Sequence, residues 1–170
     1  DPDANNMDEA QYVIERHKLS RTQLRALKKR PHFREQVIET AIALGENYNK
    51  EYWEDDLSDY APEHAIDRYE VLEYWGTVDI DMLVTEQVEI PPELQDYDEV
   101  QCNVWICNGQ VLRMVLNPFK PAKIPYMAAP YELNPYSFFG VGIAENMDDT
   151  QTLMNGFMRM AVDNAVMSGN

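Results

Sequence analysis

The chain has few cysteines, few histidines, few basic residues and no long apolar run. Its 170 residues include two Cys, three His and 14 Lys or Arg against 30 Asp or Glu, which gives a net charge of −16. No run approaches the roughly 20 apolar residues that a membrane-crossing helix needs, so no membrane span is predicted. Tight binding of nucleic acid is disfavoured because phosphate contacts need many uncompensated cations. The 45% apolar content suffices for one domain or two small lobes.

The two cysteines are predicted to be buried small hydrophobic residues. Cys102 and Cys107 lie five positions apart on one predicted strand. At about 3.3 Å per residue their Cα atoms would be roughly 16 Å apart, which is beyond the reach of a disulfide. Free cysteines are among the most often buried side chains.

No constellation of residues predicts catalysis, and no catalytic, metal-binding or cofactor-binding residue is assigned. Gly140-Val141-Gly142 lacks the third glycine of a dinucleotide motif, and no phosphate-binding loop is present. Clustered acids such as residues 54–56 are interpreted as a solvated face. The histidines have no metal-ligand spacing among themselves; they are His17, His32 and His64.

The strongest local pattern predicts an antiparallel hairpin over residues 100–116. Two apolar runs are joined by Asn108-Gly109, a pair that tolerates the positive φ angles of a type I′ turn. A two-residue loop fixes the register. The expected opposite pairs are Ile106 with Val111, Trp105 with Leu112, Val104 with Arg113, Asn103 with Met114 and Cys102 with Val115. Both faces are then largely apolar, so the rest of the chain or a neighbouring subunit must cover the second one.

The fold class predicted around this hairpin is α+β, with an α-rich N-terminal part and a long C-terminal helix. A short strand is expected over residues 12–19. The capping-box pattern of Ser20 and Gln23 then starts a helix that ends before Pro31. A second helix carries an apolar stripe and ends near Gly45; the stripe contains Val37, Ile38, Ala41 and Ile42.

The middle of the chain is predicted to be an irregular connector followed by a strand. Residues 46–66 are acidic and contain aromatic anchors, which are Tyr48, Tyr52, Trp53 and Tyr60. A strand is expected over residues 69–75. Pro91-Pro92 interrupts any helix that residues 79–88 form, because proline lacks the backbone N–H that a helix needs.

The last helix is predicted to begin near Asp148, with Gln151 as its capping partner. Its apolar positions recur at helical spacing and cover nearly half of its surface; they are Leu153, Met154, Phe157, Met158, Ala161, Val162, Ala165 and Val166. Its polar face is expected to contain Gln151, Asn155, Arg159 and Asp163. On periodicity alone, an ordinary amphipathic core helix is an equally good interpretation.

The charges are segregated along the chain. Residues 46–99 contain eighteen Asp or Glu and two bases, whereas residues 16–34 contain eight Lys or Arg and no acid. One interpretation of the basic segment is a solvated helix face. The other is complementarity, in which the basic segment of one subunit lies against the acidic stretch of its neighbour. Lys28, Lys29 and Arg30 are the residues proposed for that contact.

An ordered series of short motifs resembles the portal proteins of tailed bacteriophages. The resemblance is good over roughly residues 68–166, and the combination carries it rather than any one element. Glu73-Tyr74-Trp75-Gly76 and Asp79-Ile80-Asp81 precede the hairpin, and Asn164 lies near the end. Between them come Asn117-Pro118-Phe119, Ile124-Pro125-Tyr126, Ala129-Pro130-Tyr131-Glu132, Ser137-Phe138-Phe139-Gly140-Val141-Gly142 and Glu145-Asn146-Met147-Asp148-Asp149-Thr150-Gln151 with Asn155 and Arg159.

The resemblance implies a structural subunit and not an enzyme, with no cofactor. The chain would be an internal piece comprising a wing-like segment at 1–66, a clip-like segment at 67–135 and a loop with a stem-like helix at 136–170. Within the clip the hairpin residues of interest are Trp105, Asn108, Gly109 and Arg113.

The resemblance also implies partners and a location. Full-length portal subunits form a ring of about twelve at the portal vertex of the capsid, after synthesis in the bacterial cytoplasm. Terminase and later the head-completion or adaptor proteins dock on the clip. Double-stranded DNA passes through the channel without tight binding during packaging and ejection, because a predominantly acidic wall does not trap phosphates.

Two other functional classes remain open from the residues themselves. The first is an acidic binding module, such as a DNA mimic or adaptor that blocks a basic partner. The second is a carboxylate-based hydrolase, which requires a concave site with two acids facing each other. Neither class accounts for the ordered series of motifs after the hairpin.

Overall fold

The computed structural model describes residues 1, 3–49 and 68–169. These residues form two compact units, one of residue 1 with residues 11–49 and 68–125, the other of residues 3–10 and 126–169. The three expected segments do not coincide with these units, because a strand from the N-terminal segment joins the sheet of the middle one. Their assignment to wing, clip and stem stays a prediction.

The first unit is built on one four-stranded antiparallel sheet in the order β1-β2-β3-β4. The strands are β1 (Tyr12–Ser20), β2 (Arg68–Asp79), β3 (Glu99–Cys107) and β4 (Gln110–Leu116). The strands predicted at residues 12–19 and 69–75 are therefore confirmed, the second being longer than expected. Together with the helices, this sheet confirms the α+β class.

The described residues form four α-helices: α1 (Arg21–Ala26), α2 (Glu35–Ala43), α3 (Ile80–Thr85) and, in the second unit, α4 (Ile143–Ser168). Single 3-10 turns lie at Leu27–Lys29 and Pro92–Leu94. The Ser20 side chain accepts from the Gln23 N–H and the Gln23 side chain accepts from the Ser20 N–H, so the predicted capping box is present. The second predicted helix is α2, and Gly45 after it has the positive φ of 94° that suits glycine.

The hairpin turn ties β3 and β4 to helix α2. Asn108 and Gly109 have φ angles of 51° and 70°, as a type I′ turn requires. The Asn108 amide nitrogen donates to the carbonyl oxygens of Ala41 and Gly45, both at 2.8 Å. The last carbonyls of a helix have no partner within the helix. The turn therefore caps α2, a role that the sequence pattern did not predict.

The predicted register of the hairpin is confirmed next to the turn and is wrong farther from it. Ile106 faces Val111 as predicted, but a bulge then places Trp105 opposite Arg113 and Val104 opposite Met114. Asn103 in turn faces Val115, and Cys102 faces Leu116. The extra residue of the bulge is Leu112, whose insertion shifts every later pair by one.

Two hydrophobic clusters cover the two faces of the sheet, so the requirement for cover is met within the chain. On one face, α1 and α2 pack against the sheet; the buried residues there include Leu24, Ile38, Val71, Trp105 and Leu112. On the other face, residues 80–94, which contain α3 and are called the α3 segment, pack against β3 and β4. The buried residues of this second cluster are Leu83, Val100, Cys102, Val104 and Met114.

Both cysteines are buried and free, as predicted. They lie on opposite faces of β3, with Cys102 in the α3 cluster and Cys107 in the α1–α2 cluster. Burial raises the pKa of each thiol to about 11. Both therefore stay protonated and unreactive near neutral pH.

The predicted start of the last helix is wrong by five residues. Helix α4 begins at Ile143 after Gly142, which provides no side-chain cap, and Asp148 lies inside the helix. The first turn contains Glu145, whose negative charge is favourable at a helix N-terminus. None of the helices in the described ranges is both long enough and apolar enough to span a membrane. Most of the predicted connector, residues 50–66, lies outside the described residues.

The turn geometry predicts that Gly109→Val will destabilise the first unit. Gly109 has a positive φ, which is strained for a β-branched residue, so we expect a loss of about 1–3 kcal/mol in the free energy of unfolding. Gly109→Asn is the matched control, because asparagine tolerates this conformation and should cost much less. Urea unfolding measures both. Equal stability of the two variants would contradict the assigned turn.

Candidate functional site

The predicted hairpin residues surround a polar cluster on the α1–α2 face of the sheet. The Trp105 ring lies parallel to the His17 ring, with centroids 4.8 Å apart and an interplanar angle of 8°. Phe33 contacts Trp105 edge-on at 5.4 Å. Trp105 is itself almost fully buried. Trp105, expected as a residue of the clip hairpin, is therefore a core residue on which the His17 ring stacks.

Asn103 is the fully buried centre of this cluster. Its Oδ1 accepts from Trp105 Nε1 and from Arg113 Nη1, both at 3.1 Å. Its Nδ2 donates to Glu73 Oε1 at 2.8 Å, and the same oxygen accepts from Trp75 Nε1 at 2.8 Å. Asn103 thus links β2, β3 and β4 through side chains alone. Sequence reasoning placed it in a strand without a role.

Arg113 is held in a desolvated position beside this asparagine. Its guanidinium carbon lies 5.5 Å from the centroid of the Phe33 ring, within the range of a cation–π contact. Burial lowers the pKa of Arg113, and the nearby Glu73 carboxylate opposes that shift. Its Nε is buried and has no hydrogen-bond partner among the described residues. Arg113 is therefore a structural cation under the helices, not a group presented to a partner.

The basic segment is partly neutralised within the chain. Arg16 Nε lies 2.8 Å from Glu70 Oε1, and Arg34 bonds both the carboxylate and the carbonyl oxygen of Glu86. Glu70 and Glu86 belong to the acidic stretch, so charge complementarity between the two segments exists inside one chain.

Residues 28–30, proposed for a subunit contact, divide into two kinds. Lys28 bonds Glu39, and Arg25 Nε lies 3.4 Å from the same carboxylate. The hydrogen bond from Lys28 is the main cause that lowers the pKa of Glu39, with a further contribution from the charge of Arg25. Lys29 and Arg30 are exposed and have no ion-pair partner in the part of the chain that the structure describes. These two remain available to a partner, whereas Lys28 does not.

Helix α4 in the second unit is exposed along its whole length. It has 26 residues and none is buried, so its predicted polar face, comprising Gln151, Asn155, Arg159 and Asp163, is exposed together with its apolar face. Ten large apolar side chains are each 51% to 76% exposed, namely Ile143, Met147, Leu153, Met154, Phe157, Met158, Met160, Val162, Val166 and Met167. Met and aromatic side chains of α4 therefore present apolar surface.

The loop before α4 is tied to the start of the helix. The Asn146 amide donates to Glu132 Oε2 at 2.8 Å, and the Val141 N–H donates to the Glu132 carbonyl at 3.0 Å. Glu132 and Asn146 both belong to the ordered motif series. Aromatic side chains of the loop stay exposed, with Tyr136 91% and Phe139 79% accessible.

Comparison with protein-family models gave no match, and comparison with curated proteins gave none either. A function must therefore be inferred from the arrangement of residues in the structure. The described residues provide two features beyond a packed core, which are the exposed apolar helix α4 and the polar cluster around Asn103 and His17.

The hydrogen bonds of Asn103 predict that two substitutions on β3 will change the free energy of unfolding by different amounts. Asn103→Leu removes the acceptor of Trp105 Nε1 and Arg113 Nη1 and one of the donors to Glu73, so we expect a loss of about 3 kcal/mol or more in the free energy of unfolding. Gln101→Leu is the matched control, because Gln101 Oε1 is buried without a partner among the described residues. That change should be neutral or mildly stabilising. Urea unfolding compares them, and equal losses would contradict the assigned cluster.

Proposed function

We propose that the chain is part of the portal subunit of a tailed bacteriophage, with a structural role and no enzymatic one. The subunit would contribute to the ring through which the genome is packaged and ejected, and its clip would dock terminase and head-completion proteins. Helix α4 is the observation that carries the proposal. The ordered motif series before and within this helix supports it.

The exposure of α4 favours a partner over an isolated chain. Burying a large apolar side chain fully contributes about 1.5–3 kcal/mol, so ten exposed ones represent on the order of 10 kcal/mol of unused hydrophobic free energy even if half covered. Exposed apolar surface of this extent marks an interaction site. In portals the corresponding helix returns along the stem and packs against other stem helices.

The distribution of apolar residues around α4 favours a ring. Met158 and Met160 lie about 200° apart around the helix, and Met160 is next to Leu153, seven residues earlier, at the other edge of the broad apolar stripe. Met167, seven residues after Met160, is on the same side as Met160. A subunit in a closed ring contacts one neighbour on each side through two different surfaces. A helix whose apolar stripe is wide enough to contact a neighbour at each of its two edges suits that position.

Phe157→Glu should prevent ring assembly of the full-length protein. Phe157 is 58% exposed on the apolar stripe, and a carboxylate there would lose hydration at every subunit contact around the ring. Asn155→Glu is the matched control, since it adds the same side chain on the polar face. Native mass spectrometry should show rings for the control and subunits for Phe157→Glu. Rings in both variants would contradict the assigned contact.

Charge reversal in the basic segment should separate assembly from subunit stability. In the full-length protein, Lys29→Glu with Arg30→Glu should impair ring formation and leave the subunit folded, because both side chains are exposed. Lys28→Glu should instead lower subunit stability, since it places a second carboxylate beside Glu39. Assembly is measured by electron microscopy, and stability by urea unfolding. Normal rings in the double variant would contradict the subunit contact and favour the interpretation of Lys29 and Arg30 as part of a solvated helix face.

The chain should not bind duplex DNA at physiological salt. Its net charge is −16, and Arg16, Arg25, Lys28 and Arg34 already have carboxylate partners within the chain. Too few cations remain to displace counterions from the phosphates. Fluorescence anisotropy of a labelled duplex should show no change up to the highest protein concentration tested. Saturable binding would contradict the proposed acidic, non-gripping conduit.

A further inference from the structure

The edge of the sheet brings three potential metal ligands together. His17 on β1 lies between two glutamates, with Nε2 3.0 Å from Glu73 Oε2 and Nδ1 3.7 Å from Glu15 Oε1. One donor atom from each of these residues lies within 4.8 Å of the other two. All three residues are partly buried. The site is therefore reachable from solvent but shielded on one side by the sheet.

The strand register brings the two carboxylates of this cluster close together. Glu15 on β1 is directly opposite Glu73 on β2, so the two carboxylates share one face of the sheet. Like charges in directly opposite positions destabilise an antiparallel pair. A metal ion bound between the two carboxylates would offset that repulsion.

We propose that Glu15, His17 and Glu73 bind a divalent transition metal ion of the zinc type. One imidazole nitrogen and two carboxylate oxygens are a donor set that Zn²⁺ accepts, with water completing four-coordination. The imidazole favours zinc over Ca²⁺ and Mg²⁺, which take oxygen ligands. The ion would link β1 to β2 at the edge of the sheet.

The surrounding hydrogen bonds orient the ligands for this role. Glu73 Oε1 accepts from Trp75 Nε1 and Asn103 Nδ2, which leaves Oε2 directed at His17. The His17 ring is fixed by its stacking on Trp105. Outer hydrogen bonds of this kind orient metal ligands and tune affinity. The polar cluster around Asn103 would thus orient the metal ligands, in addition to providing hydrogen-bond partners for buried polar groups.

Calorimetric titration of the tag-free chain with Zn²⁺ tests the proposal. We expect one Zn²⁺ per chain, retained in excess Ca²⁺, and affinity at least tenfold lower in each of Glu15→Gln, His17→Gln and Glu73→Gln. His32→Asn is the matched control, because His32 lies outside the cluster and asparagine tolerates its positive φ of 65°. This control should bind Zn²⁺ as the unmodified chain does.

The result that overturns the proposal is the absence of one-to-one Zn²⁺ binding, or binding that Glu15→Gln leaves unchanged. Glu73→Gln and His17→Gln could weaken the fold, since both residues contact the sheet network. Glu15→Gln keeps the test decisive, because the Glu15 side chain is 44% exposed at the sheet edge and its loss should leave the fold intact.

Discussion

Covering apolar surface is the constraint on which the structure depends. The β3–β4 hairpin is apolar on both faces, and it is stable only because α1 and α2 cover one face while the α3 segment covers the other. The Asn108 side chain fixes the first of these covers by capping α2. Helix α4 also presents apolar side chains, but the described residues do not cover them, since none of its residues is buried. The proposed ring is the cover that this helix lacks.

Local signals explain what the sequence predicted correctly. The Asn108-Gly109 turn, the Ser20–Gln23 capping box and the apolar stripe of α2 each depend on neighbouring residues, and all three are present. The bulge at Leu112 has no local signal, and it places Leu112 and Arg113 on the same α1–α2 face of the sheet. The start of α4 was misplaced because Asp148 and Gln151 form a plausible cap inside a helix that begins five residues earlier.

Non-local pairing explains what the sequence missed in the site. His17 and Glu73 are 56 residues apart, and their contact exists only through the β1–β2 register. Arg16 with Glu70 and Arg34 with Glu86 likewise join the basic and acidic segments across more than 50 residues. A histidine search by sequence spacing cannot find such clusters, because their ligands come from different strands. The segregation of acidic and basic residues could be read from the sequence. The ion pairs that neutralise part of the basic segment within one chain could not.

Electron microscopy of the proposed full-length subunit would show directly whether α4 is covered by neighbouring subunits. We predict closed rings of about twelve subunits around an open channel, with α4 of adjacent subunits in contact through the two edges of its broad apolar stripe. Those side chains should lose most of the exposure that they have in the single chain. A compact monomer or dimer with α4 still exposed, or covered by its own subunit alone, would contradict the account and favour the acidic binding module.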